Sequence, residues 1–305
     1  MKSDIFYWIL NMSIHGSLIC LIVLLLRRIR RLPAGFTYAL WSLPLLRLWI
    51  PLGLNSSWNL AGLLEKLGTR QVPVNWNAHA LPEELPFSAM NFTQLANEYF
   101  PIRYQSYELT QTMQAAALVW MIVAAVCVIA TVFLYLLTRR AIKNAIRQEE
   151  FYISDQVNAP ALYGIVKPKI VLPPWVAEQD IEFILLHERV HSWRLDNLWR
   201  CVAILTCCIH WFNPVCWVCL KYFFSDMELS CDRVVLRILE PEQHKSYALA
   251  LLNTAKEKSL FISAFGGARI RLRIENVLSY KKLTAAACVA LGLLFGILAI
   301  ALVTN

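Results

Sequence analysis

Four stretches of this 305-residue chain are too long and too apolar to be the surface of a water-soluble domain. Residues 115–138 carry no charge and stop at Arg139 and Arg140, and residues 284–303 carry none and follow Lys281 and Lys282. Residues 5–26 run uncharged to Arg27, Arg28, Arg30 and Arg31, and residues 34–54 hold one charge, Arg47, besides Pro44 and Pro51. About 20 residues of helix cross a bilayer, so each stretch predicts a membrane span. Hydrophobic residues make up 58% of the chain and charged ones 16%, which excludes an ordinary soluble enzyme and a disordered chain alike. The first stretch lacks a small-residue cleavage site before its arginines, so it reads as a retained span and not as a signal peptide.

Basic residues flank spans on the cytoplasmic side. Arg27 to Arg31, Arg139 to Arg147 and Lys281 to Lys282 therefore share that side, and both termini lie outside. Segment 53–114 has three basic residues (Lys66, Arg70, Arg103) against five glutamates, whereas residues 139–282 hold twenty Lys or Arg against fifteen Asp or Glu. The predicted order is spans one and two (1–54), an extracellular segment (55–114), span three (115–138), a cytoplasmic domain (139–282) and span four (284–303). Only the cytoplasmic domain is long enough for an enzyme core. None of the nine cysteines falls in 53–114, which excludes a disulfide framework on this topology. Cys216 and Cys219 form a CxxC, but no second pair stands at zinc-ribbon spacing, and small buried hydrophobes are the better reading.

The chemistry is concentrated in His187-Glu188-Arg189-Val190-His191, an HExxH match. Two histidines four apart project from one helix face and can grip one metal ion. The intervening glutamate is placed to take a proton from a water that the metal activates. The alternative is a solvated helix with two incidental histidines. It fits poorly with Asp180-Ile181-Glu182-Phe183-Ile184-Leu185-Leu186, an acidic helix start that leads into apolar turns.

A hydrolytic zinc site needs a third protein ligand and an open position. The extended HExxHxxGxxH form fails, because Arg194 and Asn197 stand at its last two fixed positions. The next candidates are Glu228 and Asp232, an ExxxD on one helix face with Met227, Leu229 and Cys231 between and beside the acids. One carboxylate can bind zinc while the other, one turn on, accepts the free N–H of a metal-bound histidine. A solvated acidic turn is the competing reading, and the interleaved apolar residues weigh against it. If residues 201–220, uncharged throughout, crossed the membrane, His187 and Glu228 would face opposite sides. Asn213-Pro214 at their centre predicts a break, and with it a membrane-inlaid helical hairpin that returns Glu228 to His191.

The chain resembles the BlaR/MecR-type membrane zinc metallopeptidases, sensor-transducers of β-lactam resistance and their relatives. Leu40-Trp41-Ser42, residues 159–173 (Ala159-Pro160-Ala161-Leu162-Tyr163-Gly164 through Pro173), the HExxH with Asp196 five residues on, His210 to Pro214, and Glu228 to Asp232 carry the resemblance. It covers the four spans and the inner domain and stops at Asn305, before the penicillin-binding sensor domain that β-lactam-sensing members carry there. The resemblance implies a multi-pass α-helical membrane protein with an inner α+β gluzincin-type zinc metalloprotease domain, in a bacterial cell membrane. It implies one zinc per chain on His187, His191 and Glu228, Glu188 as base, and Asp232 and Asp196 supporting the ligands. It also implies a cytoplasmic winged-helix repressor as substrate, together with self-cleavage before the last span. Ser263, Ala264 and Phe265 open the most turn-like stretch there, 263–269.

Prolines at both ends of the strand around Ile170 and Val171 suit an edge strand, and with Gly164 this segment could pair with extended substrate. An ordinary strand covering the helix is an equal reading. Arg269, Arg271 and Arg273 alternate with apolar residues, which predicts an exposed edge strand or contact with membrane lipids rather than a nucleic-acid or repressor contact. Gly292 and Gly296 form a GxxxG suited to close packing, in a homodimer or within one chain. Two other functions compete with the signalling protease. An HtpX-like quality-control protease shares the four spans, HExxH and ExxxD, but has less need of an outer segment. A catalytically retired scaffold is disfavoured by the complete set of two histidines and two acids.

Overall fold

The computed structural model describes residues 2–29, 32–50, 107–165, 167–256 and 270–303. Most of the expected extracellular segment (residues 51–106) and the candidate cleavage residues Ser263, Ala264 and Phe265 lie outside them. The described chain is mostly helical: α1 (Lys2–Leu26), α2 (Ala34–Leu40), α3 (Ser42–Trp49), α4 (Tyr107–Ala141), α5 (Glu178–Trp193), α6 (Asp196–Ile209), α7 (Pro214–Ile238), α8 (His244–Lys256), α9 (Ile270–Leu278) and α10 (Ala285–Val303). Four short strands separate α4 from α5: β1 (Ile146–Arg147), β2 (Tyr152–Ile153), β3 (Ala161–Tyr163) and β4 (Lys169–Leu172). They form a mixed sheet in the order β1-β2-β4-β3, with β2 and β4 parallel and the other pairs antiparallel.

Among the described residues, three helices include segments long and apolar enough to cross a membrane: Trp8–Leu26, Gln111–Arg140 and Ala285–Leu302. On α4, Ile122, Val126, Ile129 and Phe133 point away from the protein, as do Val289, Leu293 and Ile297 on α10. Apolar surface on this scale needs an apolar surround. Helix α4 begins at Tyr107, earlier than the charge-free stretch suggested. Around Gly292 and Gly296 an added Cβ would meet open space, so the GxxxG packs against nothing among the described residues.

Over residues 34–50 the second apolar stretch forms two short helices, α2 and α3, rather than one continuous helix. Pro44 has no N–H to offer the Leu40 carbonyl, so the ladder breaks one turn earlier. Trp41 closes α2 with a tight bond from its N–H to the Tyr38 carbonyl (3.2 Å), and α3 restarts at Ser42. A Cβ on Gly16 would collide with the Leu48 side chain, so glycine there lets α1 and α3 touch.

The break at residues 210–213 is present, between α6 and α7. Asn213 caps α7 by accepting from the Val215 N–H (2.9 Å), and Pro214 suits the first helical position. The Asn213 amide also donates to the hydroxyls of Ser13 (2.8 Å) and Ser17 (2.7 Å) on α1. Trp120 on α4 donates to the Ile209 carbonyl at the end of α6 (2.8 Å). The turn of the hairpin is thus tied to two of the apolar helices. Helices α1, α2, α3, α6 and α7 share one core with Val23, Leu40, Trp41, Leu220 and Met227 at its centre. A second core joins α5, α7, α8 and α9 through Val190, Val235, Tyr247 and Val277, and Leu172 of β4 packs on Ile184 and Leu185 of α5.

Candidate metal centre

Helix α5 opens with Glu178 and Asp180, whose charges suit the positive end of a helix. Its apolar residues Ile184, Leu185 and Val190 dock it between the sheet and α7. That docking turns His187 and His191 inward, with their Nε2 atoms 3.1 Å apart and both rings buried. Glu228 arrives from α7, its Oε2 3.5 Å from His187 Nε2 and its Oε1 3.6 Å from His191 Nε2.

The outer nitrogens fix the tautomers. His191 Nδ1 lies 2.6 Å from Asp196 Oδ2, which as a carboxylate can only accept. His187 Nδ1 lies 2.9 Å from the Tyr247 hydroxyl, and that hydroxyl donates to Asp232 Oδ1 (2.6 Å), so it accepts from the histidine. In these neutral tautomers each ring presents an Nε2 lone pair to the other and to Glu228. Two such lone pairs and a carboxylate converging form a donor set that fits a cation. Burial presses both histidines toward lower pKa, yet Cys231 and Glu228 raise His187 to about 9 and His191 well above its usual value. The site attracts positive charge.

Leu195 adopts a left-handed conformation (φ 55°) between α5 and α6, and this turn brings Asp196 back onto His191. Asp232 is one step removed from His187: its oxygen is 3.4 Å from Nδ1, and the shorter route runs through Tyr247. Tyr247 was not among the expected site residues, and neither was Arg273. Arg271 and Arg273 do not lie in a strand, which corrects the exposed-strand reading for these two. Residues 270–278 are helix α9; Arg271 is exposed and paired with Glu275, while Arg273 is buried in the site. Arg273 grips Asp232 with Nε (2.7 Å) and Nη2 (2.6 Å), and its Nη1 lies 3.4 Å from Glu228. Arg200 donates to the other Glu228 oxygen (2.8 Å). Burial would raise both carboxylates, but His191 and His187 around Glu228, and Arg273 against Asp232, hold them below the usual range.

Cys231 joins His187 and His191 in a group whose ligand atoms lie within 4.8 Å of one another and could hold a metal. Its thiol sits on the Nδ1 side of His187 (3.6 Å) and donates to the His187 carbonyl (3.5 Å), whereas Glu228 faces the Nε2 pair. Glu188 lines the same cavity of about 360 Å³ as His187, His191, Arg200, Glu228 and Arg273. Ala159 to Leu162 form one wall of it. Ile170 and Val171 lie in β4, which has partners on both sides, so the free edge belongs to β3 and not to them. Asn197 fixes β3 by donating to the carbonyls of Leu162 (2.8 Å) and Gly164 (2.9 Å). Gly164 has φ +100°, which only glycine adopts without strain.

Comparison with known proteins gives one family match, described as BlaR1 peptidase M56, over residues 7–276. A methicillin resistance mecR1 protein of Staphylococcus aureus is 34% identical over 114 residues, covering 36% of this chain and 20% of that protein. The regulatory protein BlaR1 of Bacillus licheniformis is 30% identical over 138 residues, covering 42% of this chain and 23% of that protein. The BlaR1 of Staphylococcus aureus is 22% identical over 135 residues. The matched stretch spans less than a quarter of each relative's length (20%, 23% and 23%).

Proposed function

Because this chain belongs to the BlaR1 peptidase M56 family, we propose that it is an integral membrane zinc metalloendopeptidase of the gluzincin type, transducing a signal by cutting a cytoplasmic winged-helix repressor and its own chain. The observation that carries this reading is the convergence of His187, His191 and Glu228, with Glu188 in the same cavity. Zinc bound by those three residues supplies the Lewis acidity that polarises a scissile carbonyl and activates a water. Glu188 takes the proton of the attacking water as its oxygen bonds to the carbonyl carbon. The same carboxyl then gives that proton to the departing nitrogen as the C–N bond breaks. Extended substrate lies along the wall formed by Ala159 to Leu162, beside β3, which no further strand covers among the described residues. Helices α1, α4 and α10, with α2 and α3, form the membrane part in this reading. The metal centre faces the cytoplasm, and segment 263–269 is the self-cleavage site.

The test uses the full chain in detergent, wild type against Glu188→Gln, with any winged-helix repressor encoded beside its gene. The variant should keep one zinc and an unchanged unfolding midpoint while losing cleavage by at least about 100-fold, since an amide cannot accept the proton. Repressor cut by the variant at the wild-type rate would sink the mechanism. Wild-type protein that binds no zinc would remove the metal.

A further inference from the structure

The carboxylate that orients His191 is also bound from the membrane side of the protein. Asp196 gives Oδ2 to His191 Nδ1 (2.6 Å), and its Oδ1 accepts from the hydroxyl of Tyr38 on α2 (3.2 Å). Asp196 is wholly buried (0% exposed), so water does not replace a lost partner there. Arg194 is a second neighbour of that oxygen: its Nη2 lies 3.4 Å from the same Oδ1, and its guanidinium covers the Tyr38 ring at 4.7 Å. The ring itself packs against Phe223 of α7, centroids 5.6 Å apart.

The reach of Tyr38 is not an isolated contact. Trp41, which closes the same helix, donates its indole N–H to Asp226 Oδ2 (2.9 Å), and Arg27 at the end of α1 donates to both Asp226 oxygens (2.8 Å). Asp226 is buried on α7, two residues before Glu228. Residues 27–41 thus hold one carboxylate beside Glu228 and another on His191. Any displacement of α1 and α2 against α5–α7 strains both.

We propose that Tyr38 is a positioning residue of the metal centre, setting His191 through Asp196. The inference rests on His187, His191 and Glu228 being the metal ligands. It makes α2 the route by which the membrane helices act on the centre. A carboxylate held at both oxygens has one orientation; released at one of them, it can rotate about the remaining bond and carry the imidazole with it. Partners of metal-bound histidines contribute about 10- to 100-fold to metal affinity. One step further out, Tyr38 should contribute about 3- to 10-fold.

Tyr38→Phe removes only the hydroxyl and keeps the ring under Arg194 and against Phe223. Full-length protein in detergent is titrated with zinc against a chromophoric chelator, and with cobalt(II) to record its visible absorption bands. Tyr38→Phe should bind zinc about 3- to 10-fold more weakly and shift the cobalt bands, with Asp196→Asn losing about 10- to 100-fold. The double variant should bind no more weakly than Asp196→Asn alone, because the hydroxyl acts only through that carboxylate. Wild-type affinity and spectrum in Tyr38→Phe, while Asp196→Asn and His191→Ala lose metal, overturn the proposal and leave the metal site standing. Additive losses in the double variant overturn the route through Asp196. If His191→Ala retains full zinc, the ligand assignment itself falls, and the proposal with it.

Discussion

His191 takes its support from a carboxylate five residues away, whereas His187 is supported through three separate helices. Asp196 reaches His191 directly by way of a single strained turn at Leu195. His187 depends on Tyr247 of α8, then Asp232 of α7, then Arg273 of α9. The first arrangement forms as soon as α5 and α6 fold. The second exists only when α8 and α9 are docked on α7. One histidine therefore answers to local structure and to α2, and the other to packing of α8 and α9 on α7.

The sharpest way to break this contrast is Arg273→Leu. Asp232, 1% exposed, would keep its charge and lose its guanidinium, and breaking a buried pair costs about 3–5 kcal/mol. The unfolding midpoint of the detergent-solubilised protein should fall accordingly; an unchanged midpoint would mean that Asp232 is satisfied without α9. Next in size is Asp196→Asn, expected to weaken zinc binding by about 10- to 100-fold, roughly 1.4–2.8 kcal/mol, with little change in unfolding midpoint. Tyr247→Phe should have the smallest effect. It removes one neutral hydroxyl from the relay while Arg273 still holds Asp232, and a bond of that kind contributes about 0.5–1.5 kcal/mol, or 2- to 12-fold in affinity. If Tyr247→Phe weakened zinc binding more than Asp196→Asn, the relay would be the stronger support and the comparison would be inverted.

The same contrast explains what could be read from the sequence. His187, Glu188, His191, Glu228 and Asp232 are visible because a helix places residues four apart on one face. Asp196 is visible because it is close along the chain. Tyr247 and Arg273 come into contact with the site only through long-range packing, across 60 residues for the Tyr247–His187 bond and 41 for the Arg273–Asp232 bond. A signal for Arg273 did exist: Ile270, Arg273, Ile274 and Val277 share one helical stripe, and an arginine on such a stripe needs buried acids. Alternation of charged and apolar residues at 268–273 concealed it by imitating a strand. The interruption at Trp41 within the second apolar stretch is hidden in another way, since hydropathy sums composition and is blind to the hydrogen bond that Pro44 removes. The family, the helical architecture and the apolar spans depend on composition and local motifs, and those survive in a single sequence.

Helix α7 starts at Pro214, directly after the turn at residues 210–213, and carries Glu228 in the second half of its 25 residues. At 1.5 Å per residue, Glu228 stands about 21 Å beyond Pro214. A rod of that reach is a lever with its fulcrum among Ser13, Ser17 and Asn213. Tilting it by only about 3° at the pivot swings the Glu228 carboxylate by about 1 Å, a misplacement that can cost about a hundredfold in rate. Angular play too small to unpack the hairpin is thus amplified into the difference between an assembled and a disassembled centre.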